Sequence, residues 1–204
     1  MKPSIKLLLG TNNPGKIREM SSLLSSLPIE LVTPAELNQD YQVEEIGSSY
    51  LENAACKARA WAQKCGTATL ADDSGLEVDV LDGAPGLYSH RFTGDPHASD
   101  AERRRYLVKR LQDFPRPWLA HFTCVVAIAI PGQELVSVTG TCYGEIIPEE
   151  RGSNGFGYDA IFLVADAGKT MAELSMQEKN QLSHRAQALR SARPILINFL
   201  LKGK

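Results

Sequence analysis

The sequence predicts an α/β fold: one domain over 1–204, a mixed twisted sheet with flanking helices, and two lobes around a central cleft. Three observations carry this expectation. A β-α-β pattern opens the chain, and capped amphipathic helices alternate with short apolar runs. A long strand-rich stretch in the middle then reads as a hairpin, which adds antiparallel strands to the parallel ones.

The elements follow in order. "IKLLLG" (5–10) is an apolar run of strand length, and "PGKIREMSSLLSSL" (14–27) sets Ile17, Met20, Leu23, Leu24 and Leu27 on one helical face, with Pro14 in its first turn. "IELVT" (29–33) is the second strand. "SYLENAACKARAWAQKCG" (49–66) opens on a capping box, Ser49 with Glu52, and closes on Gly66. Its inner face is read as Leu51, Ala54, Ala55, Ala58, Ala62 and Cys65. "TATLA" (67–71) and "LEVDVL" (76–81) are expected as separate strands on either side of Asp72 and Asp73. A helix from Asp100 to Leu111 has a second capping box, Ser99 with Glu102. "HFTCVVAIAI" (121–130) and "ELVSVTGTCYGEII" (134–147) form the hairpin, and "YDAIFLV" (158–164) returns to strand. The end of the chain is helical from Met176, with Pro194 expected to break or kink it.

Composition bounds the function. Hydrophobic content of 43% and charged content of 23% suit a soluble globular protein. A net charge of −2 gives no basic footprint for long nucleic acid. No apolar run approaches the roughly 20 residues that span a bilayer. The N-terminus carries no signal-peptide pattern, so no membrane partner and a cytoplasmic location are expected. Cys56, Cys65, Cys124 and Cys142 lack C-x-x-C spacing and read as reduced thiols. The histidines lack H-x-x-x-H spacing, which gives zinc little support.

Several stretches carry chemistry. "GTNNPGK" (10–16) joins the first strand to the first helix, where backbone N–H groups and Lys16 favour an anion. Its spacing is not that of a Walker loop. Asp72 and Asp73 lie between apolar runs, and carboxylates there need a cation or strong hydrogen bonds. With Glu44 and Glu45 upstream, they offer oxygen ligands to Mg²⁺. "SNGFGYDAIF" (153–162) sets Phe156 between glycines, and Lys179, His184 and Arg185 bring phosphate or base donors. Each stretch alone has an ordinary structural explanation.

Their order is more informative. T-x-N-x-x-K, E-N-A-x-x-K-A, A-D-D-S-G-L, G-A-P-G-x-Y-S-x-R, G-F-G-Y-D and S-H-R follow one another from Thr11 to Arg185. This series resembles the inosine triphosphate pyrophosphatase family, in particular its bacterial dITP/XTP pyrophosphatases. The resemblance implies a homodimer that splits dITP, ITP or XTP into monophosphate and pyrophosphate with Mg²⁺, and so cleanses the nucleotide pool. Carried over by motif, Thr11, Asn12, Asn13, Pro14, Gly15 and Lys16 form the phosphate turn. Asp73 is the proton acceptor and a metal ligand. Glu44 is the preferred second ligand, with Glu45 and Asp72 as further candidates. Ser74, Phe156, Gly157, Tyr158, Asp159, Lys179, His184 and Arg185 contact the nucleotide. Relatives usually read T-G-N where this chain reads Thr11-Asn12-Asn13, and Asn12 can fill the glycine's place if its backbone tolerates positive φ, as Asn often does.

Two other classes compete with this reading. A phospho-aspartate phosphatase needs an Asp nucleophile at the end of the first strand, where this chain has "GTNN". A non-catalytic nucleotide sensor would share the cleft, but retention of every acidic and basic group favours turnover.

Overall fold

A computed structural model describes residues 5–39, 41 and 43–202, the side chains of 200–202 excepted. Its main elements are β1 (Ile5–Leu9), α1 (Pro14–Leu24), β2 (Ile29–Val32), α2 (Tyr50–Cys65), β3 (Thr69–Val78), α3 (Asp100–Leu111), β4 (Trp118–Ala129), β5 (Val136–Ile146), β6 (Phe162–Val164), α4 (Met176–Leu182) and α5 (His184–Lys202). The strands form one six-stranded sheet in the order β2-β1-β3-β4-β5-β6. β1 runs parallel to β2 and β3, whereas β5 and β6 are antiparallel, so the sheet is mixed as expected. No described helix is long and apolar enough to cross a membrane.

The chain divides into two compact units. The first comprises residues 1–73, 124–140 and 185–204, the second 74–123 and 141–184. In the first unit, side-chain alternation along β3 and β4 sorts residues onto two faces. Leu70, Cys124, Val126 and Ile128 pack with Met20 and Leu24 of α1 and Leu189 and Leu196 of α5. Ala71, Val125, Ala127 and Ala129 pack instead with Ala54, Ala58 and Ala62 of α2. The small alanines let α2 lie close to the strands. In the second unit, Leu76, Val78, Leu107, Leu111, Trp118, Phe122 and Phe162 form a separate core.

The helix boundaries follow their caps. Ser49 accepts from Glu52 N–H, and Gly66 closes α2 with a left-handed φ of 61°. The Ser99–Glu102 capping box is complete. The Ser49–Glu52 box is not, because the Glu52 carboxylate accepts from Ser48 N–H and Oγ, one residue earlier.

Other expectations are corrected. The stretch 69–78 is one strand, not two strands with a junction at the aspartates. Polar partners on both faces let it continue. Leu51 is 45% exposed and is not on the inner face of α2. Residues 159–161 form a 3-10 turn before the short β6. The C-terminal helices break at Ser183, whereas α5 runs through Pro194, its apolar side held in the first unit's core.

Candidate active site

The β1–α1 turn is closed by its own side chains. Asn13 Oδ1 accepts from Gly15 N–H at 2.8 Å and Lys16 N–H at 3.1 Å, as an N-cap does. Asn13 N–H in turn donates to Thr11 Oγ1 at 3.2 Å. These amides are therefore not the free anion donors that the sequence suggested. Asn12 and Pro14 are exposed. Asn12 has no positive φ, a conformation held among the described non-glycine residues by Asn38 and Asp82. The turn thus forms with no left-handed backbone at Asn12. Gly10 is required by contact: a Cβ would lie 3.0 Å from Thr69 and 3.1 Å from Trp61.

Lys16 reaches back from α1, and its Nζ lies 3.1 Å from Asp72 Oδ1. Arg185, from α5, donates to Asp72 Oδ2 through Nε at 3.1 Å and Nη2 at 3.0 Å. Its Nη1 is paired with Glu19 of α1. The Cys124 thiol adds a weak donor to Asp72 Oδ2 at 3.7 Å. Asp72 and Arg185 are each 1% exposed. Burial alone would raise the Asp72 pKa, but the charges of Lys16, Arg185 and Lys57 overcome it and hold the carboxyl well below the usual range. Burial opposes the Arg185 charge too, and Asp72 and Glu19 more than restore it. Burial, reinforced by the Asp72 charge, pushes the Cys124 thiol up to about 12.

Two corrections follow. Asp72 needs no metal to compensate it, since the chain's own cations do so. Arg185 is not a donor free for a nucleotide, because its guanidinium is committed to Asp72 and Glu19.

Asp73 faces the other way, towards α2. Its Oδ2 accepts from Asn53 Nδ2 at 2.9 Å, and its Oδ1 lies 3.7 Å from Lys57 Nζ. Lys57 is also paired with Glu45. Asn53 Oδ1 accepts from Gly47 N–H at 2.8 Å, so one side chain ties the acidic loop to Asp73. Burial raises the Asp73 pKa, and Lys57, Lys16 and Asn53 only partly oppose it. Burial would lower the Lys57 pKa, but Asp72, Asp73 and Glu45 outweigh it and raise the value. Glu45 is the acid that turns towards this cluster. Glu44, preferred on sequence, and Glu45 are both exposed, and what separates them is the ion pair of Glu45 with Lys57. Asn53 and Lys57 were missed as site residues. Their signal was the i, i+4 spacing of polar residues on the alanine face of α2, where both are buried.

The second unit gathers the remaining candidates. Asp159 Oδ2 accepts from Lys179 Nζ at 2.6 Å and from Phe156 N–H at 2.9 Å. Lys179 Nζ also lies 5.3 Å from the Phe156 ring centre. Gly155, at φ 78°, leaves room for the Asp159 carboxylate where a Cβ would project. Tyr158 Oη donates to the Ser89 carbonyl at 2.8 Å, inside the G-A-P-G-x-Y-S-x-R stretch. His184 is buried and stacks on Phe122 at 4.7 Å, while Ser74 is half-buried on β3.

The family model described as the Ham1 family matches residues 7–195, nearly the span of the ordered motifs. The chain belongs to the Ham1 family. One Ham1 relative, a dITP/XTP pyrophosphatase of Desulforamulus reducens, is 44% identical over 193 residues, covering 94% of this chain and 96% of that protein. Another from Bacillus subtilis, also a dITP/XTP pyrophosphatase, is 41% identical, with 93% and 96% covered. A solved HAM1 protein from Coxiella burnetii has a TM-score of 0.84 at 40% identity, covering 95% of this chain and 99% of its own. The Staphylococcus aureus Ham1 structure gives 0.81 at 38%, with 98% and 100% covered.

Among the described residues, no three acidic, histidine or cysteine side chains gather as a metal cage. Two carboxylates, Asp73 and Glu45, share one ammonium instead. That donor set fits Mg²⁺, which takes one or two carboxylates and completes its shell with water and phosphate oxygens.

Proposed function

We propose that this protein is a nucleoside triphosphate pyrophosphatase that hydrolyses dITP, ITP and XTP to monophosphate and pyrophosphate. It would thereby keep deaminated purines out of DNA and RNA. The observation that carries this reading is the contrast at β3, where Asp72 is saturated by cations and Asp73 is buried but only partly compensated. A carboxylate with a raised pKa is a better base than an ordinary aspartate.

In this mechanism Asp73 orients a water and takes its proton as the oxygen attacks the α-phosphorus. The α–β anhydride bond breaks, and pyrophosphate leaves with the bond electrons. Asp73 and Glu45 would hold Mg²⁺, which when bound supplies positive charge against the phosphate oxygens. Lys57 and Lys16 add fixed positive charge to the same region. The β1–α1 turn carries the triphosphate contacts through Lys16 and the side chains of Thr11 and Asn12.

The second unit's Phe156–Asp159 segment, with Lys179 and His184, is assigned to the base. A 6-oxo purine accepts a hydrogen bond where adenine would present a donor, so a buried donor left unpaired rejects ATP. The same proposal makes the working protein a cytoplasmic homodimer. Its test is product analysis with dITP, with and without Mg²⁺. Mg²⁺-dependent pyrophosphate is the expected outcome, and orthophosphate as the first product would overturn it.

A further inference from the structure

We propose that Arg104 is a specificity-determining positioning residue, which with Asp100 fixes the glycine loop ahead of Asp159. The inference rests on the assignment of that loop to the base. Asp100 and Arg104 sit one turn apart at the start of α3 and face the same way. Between them they take both polar groups of Gly157. Asp100 Oδ2 accepts from Gly157 N–H at 2.7 Å, and Arg104 Nη1 donates to the Gly157 carbonyl at 2.8 Å.

The second arm of the same guanidinium, Nη2, lies 2.8 Å from Glu150 Oε2. One side chain therefore clasps both ends of the loop 150–157. The clasp has a firm base, since Arg103 pairs with Asp100 at 2.6 Å and donates to the His90 carbonyl at 2.8 Å. Arg103 is buried.

Phe156 lies between two fixed points. Its own N–H is held by Asp159, and the next residue is held by the clasp. Gly157 keeps a φ of +61° in this geometry, and the clasp adds to the Asp159 N–H to Phe156 carbonyl bond (3.2 Å) in restraining a peptide that glycine leaves free to turn. Discrimination between bases that differ at one ring substituent depends on exact placement of ring and donors. Arg104 touches no reacting atom and acts through the loop. A lysine could reach one of its partners but not fork to both.

The test compares kcat/KM for dITP and dATP in wild type, Arg104→Ala and Arg104→Lys, with hydrogen exchange read at the Gly157 amide. Arg104→Ala should lower the dITP/dATP preference by about 10-fold, mainly through a higher KM for dITP, with kcat nearly unchanged. Gly157 exchange should accelerate, and Arg104→Lys should recover only part of both effects. Preference within twofold of wild type, despite faster Gly157 exchange, would overturn the proposal. Unchanged exchange in Arg104→Ala would overturn it as well. If Arg104→Ala fails to fold, Arg104→Lys is judged by the same criteria. A wild-type protein that releases no pyrophosphate from dITP would instead defeat the parent reading, and the exchange data alone would still decide the clasp.

Discussion

The two faces of β3 place neighbouring aspartates in opposite electrostatic situations. Asp72 points to the α1–α5 side, where Lys16 and Arg185 close around it and Glu19 completes the network. Asp73 points to α2, where burial outweighs the Asn53 amide and the nearby Lys57 and Lys16 charges and raises its pKa. A one-residue step along a strand reverses the side-chain direction, so adjacent identical residues can hold different jobs. The first is built as structure, and the second is left able to do chemistry.

Replacing Asp73 with Asn should give the largest change. Shape and the Asn53 neighbourhood are kept while the base is lost, so dITP turnover should fall by roughly 10³-fold or more. Thermal stability should hold or rise, because a poorly compensated buried charge is removed. Near-normal kcat would erase the distinction between the two faces.

Asp72→Asn should act on stability instead. It leaves buried Arg185 and half-buried Lys16 with too little counter-charge, which costs about 3–5 kcal/mol. Urea denaturation measures it, and a loss below about 1 kcal/mol would mean the network is not the anchor described.

The same comparison has a pH signature. The folded Asp72 pKa is depressed, so its stabilisation is fully present above the unfolded value of about 3.9 and is lost as pH falls from there through the folded value. The stability gap between wild type and Asp72→Asn should therefore be constant from pH 7 to 5 and narrow below about pH 4. A gap that narrows on raising the pH would have the wrong sign.

The smallest effect is expected for Lys16→Ala. On sequence, a lysine in the first helical turn only opposes the dipole, so its removal should be neutral or slightly favourable. The contact with Asp72 reverses that expectation to a loss of about 1–2 kcal/mol, alongside weaker triphosphate binding. Unchanged stability with reduced kcat/KM would show that Arg185 alone satisfies Asp72.

Much of this was legible in the sequence, and the remainder was hidden for physical reasons. Helical periodicity and capping residues located α1, α2 and α3 because those signals are local. The continuous β3 was not visible, since two adjacent carboxylates look like a strand break unless their distant partners are known. Arg185 lies far from Asp72 along the chain, so no spacing rule could pair them. Lys179 and Arg185 looked alike as basic donors for a ligand, yet both are buried in ion pairs. Glu45 was distinguishable from Glu44 only through Lys57 on another element. The Asn53–Lys57 pair, by contrast, was readable from helical spacing alone.

Cys124 turns the closed face into an internal clock. Alkylating reagents consume thiolate, and burial beside the Asp72 charge holds the Cys124 thiol far above the ordinary thiol range, so it is slow to react while the core is closed. Cys56 is exposed and should label at once. Cys124 should label only when the strands beside Asp72 part from α1 and α5. Cys142 is buried too, in the second unit's core, so iodoacetamide uptake read at the Cys124 peptide itself times the opening of the first unit's core.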